Sequence, residues 1–512
     1  MATDVQELNR MSLENYTVRA LELFPDDGLT GRTKITTNVR EINRGNVVEV
    51  LEKALPIHAK NAREITYLYD YYRGRQDIRK KSKNVREYIN NKVMVNRANE
   101  IVTFKTAYLL NEPIQYVSHN GDDTVSENVN RLNEFMRAED KESKDKEIID
   151  WIHICGVAER LVLPDDGEVY GAPFRVDTLD PREAFVIYSA GIGRRPMASV
   201  ILQQDEDDTW YALVYTKDTT YKIVGRDIVE ETPYAIDGFP LVEYVNNAAR
   251  MGAFETVIPI LNNINQLESD AVDSVDDFIN GFDVFQNCDI EDGDYSDLAI
   301  GGKAVKIKTV TQGMEAKVYR VYSELNQTGV QTRIDDMTEA YLTICGMPNR
   351  NGGSSTSDTG SAVIFRDGWS EAESRAKDTE KLFKRSEREF LRTTLSICEK
   401  INERGEYDLH LTLADFDPDF LRKNLSNSQS KVQILCELLN NPKVHPKLAF
   451  EVAGSLFKDV ESAYTMSSEY YEENQKKLEE SLEEELNRAR VAAVETSRRS
   501  DSTAQSESNP EV

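Results

Sequence analysis

The chain has 512 residues, 39% hydrophobic and 30% charged, a composition that describes a folded soluble protein with one large core or several smaller ones. Its formal net charge of −28 disfavours sequence-specific binding of nucleic acid, which needs a basic surface to displace counterions. No run approaches the roughly eighteen apolar residues that cross a membrane. The opening M-A-T-D-V-Q-E is no signal peptide, so a cytoplasm is the expected place of assembly.

Residues 1–45 have weak periodicity and a Pro25-Asp26-Asp27-Gly28 turn, so a loosely ordered arm is expected. A helical pattern then runs from Val47 to Tyr72. The most basic segment follows: Arg73, Arg75, Arg79, Lys80, Lys81, Lys83, Arg86, Lys92 and Arg97. It reads either as a contact for DNA or an acidic partner, or as a solvated face that pairs with acidic neighbours. Val95 to Leu110 reads as a helix stopped at Asn111-Glu112-Pro113, with further helices over Val125–Ala138 and Lys144–Glu159. From Arg160 short β-rich runs alternate with turns: Phe174–Val176, Ala184–Tyr188, Ser199–Gln203, Trp210–Tyr215 and Tyr221–Val224, which predicts an antiparallel meander.

Two long helices come next, over Phe254–Phe285 and Leu325–Met347. In the first, Val257, Ile260, Leu261, Ile264, Leu267, Ala271, Val275, Phe278 and Phe282 mark a buried face. Asn263, Gln266, Asp270, Asp273, Asp277 and Asn280 mark a wet one. Val330, Ile334, Met337, Tyr341 and Ile344 repeat the pattern in the second, and both exceed what a compact core needs. Between them Lys303–Thr311 alternates like a strand, with Val305 and Ile307 on one side and Lys306 and Lys308 on the other. Pro348–Thr359 is too polar and glycine-rich to pack and reads as a loop.

A helix from Gly360 to about Asn402 carries charges interleaved by sign, with Glu373–Lys377 and Glu380–Lys384 at the favourable four-residue spacing. Tyr407–Leu413 alternates like a strand. Helices are expected over Ser428–Leu439 and His445–Phe457, and in a last charged one from about Val460. The final fifteen or so residues are expected to be disordered.

No enzyme motif survives inspection. Gly301-Gly302-Lys303 has Asp297 and Ala304 where a phosphate-binding loop needs Gly and Ser or Thr. Asp289–Asp294 fits no calcium-loop register. The five histidines have no metal or triad spacing, and the five cysteines (Cys155, Cys288, Cys345, Cys398, Cys436) contain no C-x-x-C pair. No cofactor, metal or catalytic residue is expected.

The chain resembles the portal proteins of tailed bacteriophages, most closely those of long-tailed phages (the siphophage type), over roughly residues 60–400. The residues that carry the resemblance are Tyr71-Tyr72-Arg73-Gly74, Asn96-Arg97-Ala98-Asn99-Glu100-Ile101-Val102, Tyr108-Leu109-Leu110-Asn111-Glu112-Pro113-Ile114, Glu243-Tyr244-Val245-Asn246-Asn247 and the stretch from Gly252 to Ser269. The resemblance implies an α+β, mainly α, portal-type fold. Its parts would be an arm at 1–45, a β-rich wing at 46–253, stem helices at 254–285 and 323–347 around a small α/β clip at 286–322, and a tunnel loop at 348–359. They continue with a long wing helix at 360–404, a wing strand at 405–417, a helical crown at 418–475 and a charged, largely disordered tail at 476–512.

The same resemblance implies a dodecameric ring at one capsid vertex of the virion, assembled in the host cytoplasm, through which double-stranded viral DNA is packaged and ejected without sequence preference. Implied partners are the terminase large subunit, a head-tail adaptor, the major capsid protein and a scaffolding protein, with no membrane. The tunnel loop, Asn349, Arg350, Asn351, Gly352, Gly353, Ser354, Ser355, Thr356, Ser357, Asp358 and Thr359, would line the channel and make weak contacts with DNA. Lys303, Lys306 and Lys308 of the clip would dock the motor and then the adaptor. A helical capsid-assembly scaffold without a channel is the rival reading.

Overall fold

The computed structural model describes residues 29–84, 87–119, 123–165, 171–279, 282–289, 308–311, 313, 315, 317–321, 327–349, 368–401, 407–420, 425–454, 457 and 460–504. The chain divides into two units, Met1–Phe420 and Leu421–Val512. In the first, β1 (Thr36–Thr37) and α1 (Val47–Tyr72) lead through a short 3-10 turn at Asp77–Lys80 to α2 (Arg97–Leu109). β2 (Gln115–Ser118), α3 (Asp123–Ala138) and α4 (Lys141–Cys155) follow. Then come β3 (Val157–Pro164), β4 (Phe174–Leu179), β5 (Ala184–Ser189), β6 (Pro196–Gln204), β7 (Trp210–Tyr215), β8 (Thr219–Val224), β9 (Asp227–Pro233) and β10 (Leu241–Val245).

The expected meander is present as β5-β6-β7-β8-β9, antiparallel throughout, with β1 added parallel to β5. Alternation places Phe185, Ile187, Ala198, Val200, Val214, Tyr221 and Ile223 on one face, where they meet Val47, Val50, Leu51 and Ala54 of α1. A second sheet, in the order β10-β3-β4, packs between α4 and the later long helix. Here Lys144–Glu159 was expected to be helical throughout. Instead Gly156, at φ +87°, caps α4 by donating its N–H to the Ile152 carbonyl, and Val157–Pro164 turns into the central strand. A left-handed C-cap ends a helix whatever the following residues prefer.

The arm expected at 1–45 also needs correction over its described part. Arg32 is 2% exposed and holds Glu64 at 2.8 Å, Glu255 at 2.6 Å and the Cys155 carbonyl at 3.0 Å, and Ile35 and Ile42 are buried, so residues 29–45 are anchored to the core at these points. Weak periodicity hid this, because one buried cation and two isoleucines seven residues apart fix the segment rather than a regular apolar stripe. The Tyr407–Leu413 alternation likewise forms no strand. Leu409 packs into the core, Asp415 accepts from the Thr412 amide and hydroxyl in a turn, and the strand is β15 (Phe416–Asp419), paired with β2.

α5 (Ile258–Ile279) and α6 (Gln327–Cys345) correspond to the two predicted long helices. The first is shorter than expected: Phe282–Gln286 is β11, paired antiparallel with β14 (Lys317–Val321). Phe282, Val284 and Phe285 suit a strand as well as a helix face, and the partner strand decides. β12 (Cys288–Asp289) and β13 (Lys308–Thr309) pair further along the insert. α7 (Trp369–Lys400) is the long helix, lying against β10 and β3.

The second unit contains α8 (Leu425–Leu439), α9 (Pro446–Val452) and α10 (Val460–Ala504). The last helix extends into the stretch expected to be disordered, because nothing in that charged run breaks a helix before Ala504. Among the described residues no helix is long and apolar enough to cross a membrane. The whole is α+β and mainly α, as expected.

Candidate functional site

α5 and α6 bury Leu261, Ile264, Ile334, Tyr341, Leu342 and Cys345 against Tyr71, Ile101 and Phe254 of neighbouring elements. The opposite side of α5 is not uniformly wet. Asn263 and Gln266 are exposed, but Asp273 is 2% exposed, and Asn265 and Ser269 are fully buried. These last three sit four residues apart and bind the backbone of the extended segment 91–95. The amide of Val95 donates to Asn265 Oδ1 at 2.8 Å, that of Val93 to Ser269 Oγ at 2.9 Å, and that of Asn91 to Asp273 Oδ1 at 2.7 Å. Two extended residues advance about 6.6 Å and four helical residues about 6.0 Å, so three rungs stay in register.

The basic segment ends on this ladder. Lys81 Nζ reaches Asp270 at 2.7 Å and Asp273 at 2.8 Å, and Lys83 Nζ reaches Asp273 at 2.6 Å. Burial pushes the Asp273 pKa up, but Lys81, Lys83 and Asn91 outweigh it and hold the carboxyl below its usual range. Of the two readings of that segment, pairing with acids describes Lys81 and Lys83, and the acids belong to the same chain. Arg73 and Arg75 lean on Asp70 at 3.6 and 3.5 Å. Arg79 and Lys80 are exposed, while Arg86 lies outside the described residues.

The loop expected to line a channel starts where α6 ends. Gly346, at φ +64°, donates its N–H to the Thr343 carbonyl and Met347 donates to that of Leu342, a paired closure that Gly permits at positive φ. Chain re-entry is adjacent: a Cβ placed on Gly368 would stand 3.7 Å from both the Met347 oxygen and the Pro348 Cα. Of the predicted loop residues Asn349 is described and half-buried. Arg350, Asn351, Gly352, Gly353, Ser354, Ser355, Thr356, Ser357, Asp358 and Thr359 lie outside the described residues. So do Lys303 and Lys306 of the insert, whereas Lys308 is in β13 with Asp289 as its register partner.

His58 Nε2 donates to the Arg182 carbonyl at 2.8 Å and its ring stacks on Phe185, and burial lowers its pKa to about 4. Cys155, Cys345, Cys398 and Cys436 are free thiols. Among the described residues no three His, Cys, Asp or Glu side chains converge as a metal site. The Asn265-Ser269-Asp273 ladder was missed in the sequence, and its only signal there was the four-residue repeat of small polar side chains, of which Asp273 alone was read as part of the wet face.

A family model described as "Phage portal protein, SPP1 Gp6-like" matches residues 51–488. No curated protein matches the chain. A solved structure titled "Neck of empty GTA particle computed with C6 symmetry" is similar at 9% identity and a TM-score of 0.38, covering 70% of this chain and 89% of that one, too low to bear on function.

Proposed function

The chain belongs to the SPP1 Gp6-like phage portal family, and from that membership we propose that it forms the ring at a capsid vertex through which viral DNA enters and leaves. The observation that carries the proposal is the family match over residues 51–488, which includes both long helices, the insert between them and the loop that follows. In this reading α5 and α6 are the stem, the insert from 286 to 322 is the clip, and 348–359 is the tunnel loop. Residues 46–253, with the long helix and strand of 360–417, form the wing. Residues 418–475 form the crown.

The ring is dodecameric and works without chemistry of its own. Identical copies around an axis make heterologous contacts that close on themselves. ATP hydrolysis belongs to the terminase motor, which docks on the clip through Lys303, Lys306 and Lys308 and is replaced by the head-tail adaptor after filling. The small hydroxyl and amide groups of Asn349–Thr359 offer passing DNA transient hydrogen bonds, with Arg350 as the single cation, so adhesion stays weak. The major capsid protein and a scaffolding protein are the partners at the vertex.

Negative-stain electron microscopy with mass determination in solution tests this directly. Rings of about twelve copies with a central hole are expected. A monodisperse monomer or dimer at high concentration would overturn the channel and favour an assembly scaffold. Given rings, changing Ser354, Ser355 and Thr356 together to Ala is expected to leave the ring intact and alter the amount of DNA packaged.

A further inference from the structure

A recess opens between α2, α4, the turn after α6, and α7. Its walls are apolar, with Phe104, Tyr108, Leu109, Ala372 and Ala376, and its cations are Lys105 and Arg375. Arg375 is already held by Glu371 at 2.8 Å on the helix surface. Lys105 makes no hydrogen bond or ion pair among the described residues. His153 also lines the recess and gives it no negative charge: burial, then the charge of Lys105, keeps its imidazole neutral at ordinary pH. Lys105 is half-buried and the nearest opposite charge, Glu371, is already held by Arg375, so its ammonium is poorly compensated and burial lowers its pKa.

We propose that this recess is a socket for a carboxylate side chain of the adjacent copy of this chain, with Lys105 as its charge partner. The inference rests on the ring-forming reading above. Heterologous closure joins two different faces of one molecule, so a pocket on one face needs a projecting group on the other. The chain carries 90 Asp and Glu against 62 Lys and Arg, so the surplus a neighbour brings is carboxylate. The aromatic and aliphatic walls suit the methylenes of Glu or Asp. They give a free phosphate, hydrated on all sides, little in exchange for its water. Ala372 and Ala376, one turn apart on α7, keep the opening clear.

The test uses rings assembled from a mixture of unlabelled and 15N-labelled chains, treated with a carbodiimide that couples an amine to a carboxylate in contact. Peptides in which Lys105 is joined to an Asp or Glu of the other isotope are expected. Rings of Lys105→Met should fall apart at subunit concentrations at least about tenfold higher than wild-type rings, because the neighbour's carboxylate is left unpaired. Thermal melting of the dissociated subunit should stay the same or rise, since the variant removes a poorly compensated charge. Wild-type rings in which Lys105 couples only within its own chain, together with unaltered dissociation of the variant, overturn the socket. Titration of the dissociated subunit with inorganic phosphate that binds only when Lys105 is present also overturns it, in favour of a small-anion site. If the wild-type chain forms no ring, the ring reading fails first and the socket with it.

Discussion

Glu387 collects four donors in the interior of the first unit: the phenols of Tyr116 at 2.6 Å and Tyr244 at 2.5 Å, Lys141 at 2.9 Å and Arg160 at 3.2 Å. Burial pushes its pKa up, but Lys141, Arg160 and the two phenols outweigh that and hold it at about 2. A buried network is costly to break at one member, so Glu387→Ala should lose about 3–5 kcal/mol in denaturant unfolding. A depressed carboxyl adds stability above its ordinary value of 4.5 and loses it as pH falls toward 2, so the gap between wild type and Glu387→Gln should narrow over that window. Glu159 has the opposite sign. It faces Glu243 across β3 and β10, Oε2 has no partner, and burial followed by the Glu243 charge raises its pKa well above normal. Its penalty grows as pH rises above 4.5, so the melting advantage of Glu159→Gln should be larger at pH 8 than at pH 5; equal advantages would refute a protonated Glu159. None of this was legible beforehand. Glu373–Lys377 and Glu380–Lys384 do form the pairs their spacing predicts, at 3.6 and 2.8 Å, yet Glu387 continues the same interleaved run and is 0% exposed. Only the strands that cover it distinguish it.

At the scale of elements, the helical period located the long helices and the β period located β4 to β8 but not the other strands of the two larger sheets, because each rests on a local repeat that burial of one face enforces. What they missed was decided by partners distant in sequence: β3, β11 and β15 are strands because a neighbouring strand takes their backbone groups. The ladder on α5 is the same kind of long-range fact, and it makes a prediction. Asn265→Ala should speed hydrogen exchange of the Val95 amide by tenfold or more, roughly the loss of one buried hydrogen bond, with Val93 and Asn91 less affected. Asp273→Ala should instead release Asn91 and leave Lys83 without its carboxylate, while Lys81 keeps Asp270. Equal exchange at all three amides in both variants would mean that packing rather than side-chain hydrogen bonding holds the segment. The rungs also drift by about 0.6 Å each, the difference between the two advances, which limits such a ladder to a few steps and matches its end at Asp273.

For the whole molecule, the family-level architecture was readable from short ordered matches such as Asn96–Val102 and Glu243–Asn247. The residues proposed to meet DNA and the motor were chosen by the same route, without a physical signal of their own beyond polarity and charge. One feature of the frame bears on them. Met347–Pro348 and Gly368 abut, so the chain leaves and re-enters α6 and α7 at nearly one point. Closing a longer or shorter excursion between fixed, neighbouring ends changes the entropy only logarithmically, about 0.6 kcal/mol per doubling. Removing residues 351–358 should therefore leave the melting of the remaining chain within about 1 kcal/mol of wild type, while DNA packaging is lost. A cooperative loss of stability on removal would show that the excursion braces the frame. With its ends pinned together, the stretch between Pro348 and Gly368 can change in length or composition at little cost to the helices on either side.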